Sequence, residues 1–224
     1  MNDLFNNPQK PKFKPKKCAE CKNEFTPIKP LQKYCGPVCF WEAGKKKLAL
    51  KEKKDWQAEK NTIKEKIAKL GDYEKLLEKE INEIVRLIDC GCKNCISCNP
   101  DTPIQKRFAG HFHSVGSNKS IRYNLHNIHR QCYSCNGNKG GNQIIYLEGL
   151  EREYGSEYAE YVHYDMRRKF NYMNWTKEDL KEWTAIARLI IKDLKSWGNT
   201  YDAKERIEMR VELNFRLGIY KTQQ

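Results

Sequence analysis

The sequence has no run of about 18 apolar residues, so no segment reads as a bilayer-spanning helix. Apolar side chains make up 39% of its 224 residues, which is little for one well-filled core and predicts small modules with exposed helices. Acidic residues are outnumbered, 29 Asp and Glu against 42 Lys and Arg, which leaves a formal charge of +13. A polyanion is the expected partner, because each phosphate neutralised releases a condensed counterion. The start, Met1 to Lys17, is polar and lysine-rich and lacks the apolar stretch of a signal peptide. The expected location is therefore a reducing cytoplasm.

In such a compartment ten cysteines are not expected to form disulfides. Eight of them fall into four close pairs, the spacing of tetrahedral zinc sites. Cys18, Cys21, Cys35 and Cys39 form one set, and Cys95, Cys98, Cys132 and Cys135 the other. Two structural zinc ions are expected. A site closed by four thiolates has no open coordination position, so any catalysis must fall to other groups. Cys90 and Cys92 are expected to stand outside both sets.

The chain divides by composition into five expected segments: a basic arm over 1–17, a zinc module over 18–40, a charged helical connector over 41–89, a zinc-stapled core over 90–150 and a helical region over 151–224. Within the connector, Gly71 and Asp72 predict a break between helices of about 40–70 and 73–88, able to fold back as a hairpin. Strands are expected over 107–113 and 121–129, and a helix from about Gly141 or Asn142. In the last segment Ser156, Thr176 and Tyr201 or Asp202 are the expected helix starts. Leu180, Trp183, Ile186, Leu189, Ile190, Leu194 and Trp197 are the expected buried face of the second of these helices.

Four of the five histidines lie between 111 and 129, bracketed by the second cysteine set. Phosphodiester hydrolysis needs a group that takes a proton from water near pH 7, and neutral imidazole suits that task. It also needs a divalent cation to stabilise charge that develops on the phosphate oxygens.

The order Ala109-Gly110-His111-Phe112-His113, then Asn127-Ile128-His129-Arg130-Gln131-Cys132, then Cys135-Asn136 with Lys139 resembles the HNH, or ββα-metal, nucleases. The Cys135-Asn136 junction is similar to that of phage endonuclease VII enzymes. A longer resemblance, over about 93–195, is to the NinG (Rap) recombination proteins of lambdoid phages. It rests on Cys95-Ile96-Ser97-Cys98, Ala109-Gly110-His111, Arg122-x-Asn124-x2-Asn127-Ile128-His129-x-Gln131-Cys132 and Trp175-Thr176. A less exact likeness extends to the N-terminal cysteine pairs.

The resemblance implies an α+β protein with a ββα-metal zinc-bound core. It also implies a structure-selective endonuclease that cleaves Holliday junctions or D-loops during phage recombination in the host cell. His111 matches the general base and Asn136 a ligand of catalytic Mg²⁺ or Mn²⁺, while Asn127 matches the asparagine that orders the loop. Most HNH enzymes carry Asp or His just before the base, where Gly110 stands here. His113 or His129 is the expected substitute ligand, or else His111 binds the metal and His113 is the base. Arg107, Arg122, Arg130 and Lys139 are expected at DNA phosphates, with Arg122 and Arg130 foremost. Symmetric resolution of a junction implies a homodimer. Two other readings stay open: a non-catalytic zinc protein that binds DNA or a replication or recombination factor, and an HNH nuclease that reads sequence.

Overall fold

A computed structural model describes residues 13–99, 107–170 and 174–220, with the side chain of Arg107 outside the described set. The expected arm over 1–17 lies mostly outside these residues. The chain forms two compact units that divide between 67 and 68.

In the first unit a two-residue antiparallel ribbon pairs β1 (Lys16–Lys17) with β2 (Glu24–Phe25). It frames the first cysteine pair, and α1 (Pro37–Ile67) carries Cys39 in its first turn. None of the residues of α1 is buried. Trp41, Trp56 and Ile67, at 66%, 65% and 71% exposure, lie on a helix whose lysines and glutamates solvate it on all sides.

The second unit begins with α2 (Leu70–Ile88). The helix break falls at Ala68–Lys69, ahead of the expected Gly71. Asp72 stands in the first turn rather than at the cap, where its carboxylate accepts from the Lys69 N–H at 2.8 Å. Leu77, Ile81, Ile84, Val85 and Ile88 are fully buried at helical spacing. Each contributes about 1.5–3 kcal/mol through burial. Their partner is α6 (Lys177–Trp197), so α2 belongs to the core of the second unit.

Thr176 caps α6 through the Asp179 N–H at 3.2 Å, and Asp202 caps α7 (Ala203–Leu217) through the Glu205 N–H at 2.9 Å. The buried face of α6 is Leu180, Thr184, Ala187, Ile190, Ile191 and Leu194. Leu189 and Trp197 are exposed, because the face that meets α2 is narrower than the apolar stripe in the sequence. Ser156 follows its cap residue, Gly155, as the first residue of α4 (Ser156–Glu160).

Between α2 and α6 in sequence, an antiparallel ribbon packs against α2, with β3 (Arg107–His111) against β4 (Ile128–Cys132), Gly110 opposite His129 and His111 opposite Ile128. Both strands are displaced from expectation. Residues 112–113 leave the ladder, and 119–121 and 125–127 are single 3₁₀ turns. Asn124 bends the chain there by accepting from the His126 N–H at 3.0 Å. After β4 a π turn, Ser134–Asn138, precedes α3 (Gln143–Tyr154). A short π turn, Tyr161–Asp165, then joins α4 to α5 (Met166–Lys169). No helix among the described residues is long and apolar enough to cross a membrane.

Candidate active site

Two groups of four cysteines stand out, Cys18, Cys21, Cys35 and Cys39 in the first unit and Cys95, Cys98, Cys132 and Cys135 in the second. Within each group the sulfur atoms all lie within 4.8 Å of one another. Cys21 and Cys35 approach to 3.7 Å, and Cys98 and Cys132 to 3.6 Å. Tetrahedral Zn–S bonds of about 2.3 Å place sulfurs about 3.8 Å apart. Backbone N–H groups also point at the sulfurs, Cys35 N at Cys18 Sγ (3.4 Å) and Cys132 N at Cys95 Sγ (3.3 Å), and such donors stabilise thiolates. Both groups are compatible with zinc, two ions in all. Cys92 belongs to neither; it lies against Arg206 and Glu153. Cys90 also stands apart, beside the Asn199 carbonyl.

The second group fastens the start of the β3–β4 ribbon. The Ile96 N–H bonds to the Arg130 carbonyl at 3.0 Å, and α3 comes so close that a Cβ on Gly149 would stand 1.7 Å from the Ile96 carbonyl oxygen. Only glycine fits there. Cys135 is buried, so the half-buried Asn136 beside it takes its position from the thiolate group.

His111 ends β3 with its ring half-buried, and Nε2 lies 2.8 Å from the Arg122 carbonyl oxygen. A carbonyl only accepts, so Nε2 carries the proton and Nδ1 presents the lone pair. Burial pulls its pKa below the ordinary histidine value, against the opposing effect of the Arg122 carbonyl. The ring is therefore neutral at pH 7, the state a general base requires.

Arg122 is itself pinned to α2. Its guanidinium lies 2.6 Å from Glu78 and 3.4 Å from Glu74, and the residue is 8% exposed. Glu74 also accepts from Trp175 Nε1 at 2.8 Å and meets Lys119 at 3.2 Å. Although burial opposes it, these donors and charges hold the Glu74 carboxyl below the usual range. The expectation that Arg122 meets phosphate is thus corrected: its charge is spent inside the fold, and its carbonyl orients His111.

Arg130 is likewise buried at 5% exposure. Its backbone N–H and its Nη1 reach Asp89 at 3.1 and 3.4 Å, so it too is structural. Lys139 is exposed at the end of the π turn, and the Arg107 side chain lies outside the described residues.

Asn127 is fully buried and ties the segment after β3 in place. Its Oδ1 accepts from the His113 N–H at 2.8 Å, and its Nδ2 donates to the His113 carbonyl at 3.1 Å. The His113 ring is 2% exposed and donates Nε2 to the Val162 carbonyl at 2.8 Å. That corrects its expected place on a catalytic metal, because the ring is locked into the interior beyond the strand.

His129 is excluded more firmly. Nδ1 meets Tyr146 Oη at 3.1 Å and Nε2 meets Tyr158 Oη at 3.2 Å, so both ring nitrogens are occupied. The same Tyr146 hydroxyl donates to the Gly110 carbonyl at 2.9 Å. Burial pulls the His129 pKa well below the usual value.

Ladder alternation places His111 with Ile128 and Arg130 on one face of the ribbon, and Gly110 with His129 and Gln131 on the other. The sequence motifs assign no role to Gln131. Period-two alternation places it beside Gly110 and His129.

These features define a helix-rich α+β protein with two small two-stranded sheets among the described residues and two four-cysteine groups. The family model described as "NinG: Bacteriophage Lambda NinG protein" matches residues 10–197, and the chain belongs to this family. Similar proteins include Protein ninG of Escherichia phage lambda, 29% identical over 79% of this chain and 91% of its own length. Protein ninG of Salmonella phage P22 is 29% identical over 80% and 92%, and that of Enterobacteria phage H19B is 30% identical over 81% and 94%. No solved structure matches the chain.

Proposed function

We propose that the chain is a metal-dependent endonuclease of the ββα-metal type that cleaves branched recombination intermediates, Holliday junctions or D-loops, in the infected host's cytoplasm. The observation that carries this reading is His111. It is a neutral imidazole at the end of a cysteine-fastened ribbon, with Nε2 fixed on a backbone carbonyl and Nδ1 left to accept among the described residues.

In this reading water gives its proton to His111 Nδ1 as its oxygen attacks phosphorus, and the P–O bond to the leaving oxygen breaks. Asn136 would hold Mg²⁺ or Mn²⁺, which when bound supplies Lewis-acid stabilisation of the charge on the phosphate oxygens. Asn127 keeps the segment after His111 in one conformation. The net charge of +13 and the exposed Lys139 favour the DNA backbone. Two copies per junction would give the paired incisions a symmetric substrate needs.

The zinc-loaded chain is incubated with Mg²⁺ or Mn²⁺ and, separately, a four-way junction, a D-loop and a linear duplex. The proposal expects nicks on the branched substrates and few on the duplex. Binding without nicks would favour a non-catalytic DNA-binding zinc protein, the reading that Gly110 favours because it lacks an acidic side chain. Cuts that follow a base motif would favour a sequence-reading nuclease.

A further inference from the structure

Gln131 is fully buried, and its amide nitrogen donates to Ser97 Oγ at 2.7 Å and to the Gly141 carbonyl at 2.6 Å. Because the Gly141 carbonyl can only accept, the amide cannot be flipped, and Oε1 is fixed on the other side. That oxygen is buried and has no hydrogen-bond partner among the described residues. A buried acceptor left unmade is costly, and in native proteins it calls for an ion or a water.

Oε1 lies 2.0 Å from the point where a Cβ on Gly110 would stand, and Asn136 Oδ1 lies 3.0 Å from the same point. Two amide oxygens therefore converge on the place from which any side chain at 110 would project. Glycine at 110 is what gives Gln131 its room.

We propose that Gln131 Oε1 and Asn136 Oδ1 together bind a hard divalent cation, Mg²⁺ or Mn²⁺, with Gln131 as the protein ligand that Gly110 cannot supply. The catalytic role of this site rests on the nuclease reading; its ability to bind a cation does not. Amide oxygens are neutral, so the pair holds the ion weakly by itself, and water and a substrate phosphate complete the shell. Apparent affinity for the cation consequently rises when DNA is bound.

The test uses the full zinc-loaded chain without DNA, with Mn²⁺ as the probe. In ¹⁵N-labelled wild-type protein the side-chain NH₂ signals of Gln131 and Asn136 should broaden before any others. Gln131→Ala and Asn136→Ala should each weaken Mn²⁺ binding at least about ten-fold, with zinc content equal to wild type. Gly110→Asp alone should not tighten binding, since the new side chain meets Gln131 Oε1. Gly110→Asp combined with Gln131→Ala should restore binding and exceed wild type.

Broadening that is absent at millimolar Mn²⁺ or centred elsewhere overturns the proposal, as does unchanged affinity in a folded Gln131→Ala. Should Gln131→Ala fail to fold, the wild-type broadening decides. A chain that binds Mn²⁺ here yet never nicks DNA would retain this site and lose the nuclease reading. One that nicks DNA with no cation at Gln131 would do the reverse.

Discussion

Replacing Asp89 with Asn should destabilise the second unit more than any change at the proposed catalytic residues. Asp89, just past the end of α2, is 2% exposed, and Arg210 of α7 is 0% exposed. Arg210 Nη2 lies 2.8 and 3.0 Å from the two carboxylate oxygens. The guanidinium also donates to the Leu125 carbonyl at 3.1 Å and the Ile128 carbonyl at 3.3 Å, while Asp89 Oδ2 accepts from the Arg130 N–H. The pair thus fastens α2 and α7 to the start of β4, directly opposite His111 in the ladder. Removing one member of a buried, hydrogen-bonded ion pair costs about 3–5 kcal/mol, because the other charge is left unpaired in the interior. For a unit of this size that lowers the melting temperature by roughly 6–20 °C. Asp89→Leu combined with Arg210→Met, which removes both charges, should cost less than Asp89→Asn alone. Thermal and urea unfolding of the zinc-loaded chain read these differences directly. A loss below about 1 kcal/mol for Asp89→Asn, or a double variant worse than the single, would refute the reasoning.

Four further outcomes are expected. Metal analysis should find two zinc ions per chain. Cys21→Ser and Cys98→Ser should each leave one, with only Cys98→Ser disrupting the second unit by circular dichroism. Burial drives the pKa of His126 down to about 3, so the folded state holds it neutral while the unfolded chain binds a proton below its ordinary value near 6.5. Its contribution is complete above pH 6.5 and is lost as pH falls towards the folded value, by up to about 1.4 kcal/mol per pH unit. Urea titrations at pH 7.5 and 5.0 of wild type and His126→Asn, with zinc release followed separately, isolate it from His111, His113 and His129, whose pKa values burial also lowers. Lys139→Ala should lower the salt dependence of DNA affinity by about one phosphate contact. Arg122→Met should instead lower stability through its lost Glu78 and Glu74 partners and leave the salt slope unchanged.

Much of the architecture was legible because it is written locally. Thiolate spacing fixes the two cysteine groups, and the Thr176 and Asp202 caps need only residues three apart. The position of His111 after Ala109-Gly110, and of Asn136 after Cys135, also followed from short motifs. What could not be read depends on partners distant in sequence. Arg122 looked like a phosphate ligand because Glu74 and Glu78 are more than 40 positions away. Period-two alternation puts His113 on the strand face of His111, but the ladder ends at His111 and the His113 ring turns to Val162. The apolar stripe of α2 announced burial without naming α6 as its partner. Gly110 looked like a deficiency because nothing near it in sequence shows that Gln131 fills the space.

The central claim is that His111 takes the proton from the attacking water. The direct measurement is the single-turnover rate of nicking of a four-way junction in Mg²⁺, from pH 5 to 8, for wild type and His111→Ala. The account predicts a wild-type rate that rises with pH through a midpoint below 6.5 and then levels off, because burial lowers the His111 pKa. It predicts a loss of at least about 100-fold in His111→Ala, with unchanged zinc content and junction affinity. Nicking by folded His111→Ala at the wild-type rate, with the same pH profile, would contradict it.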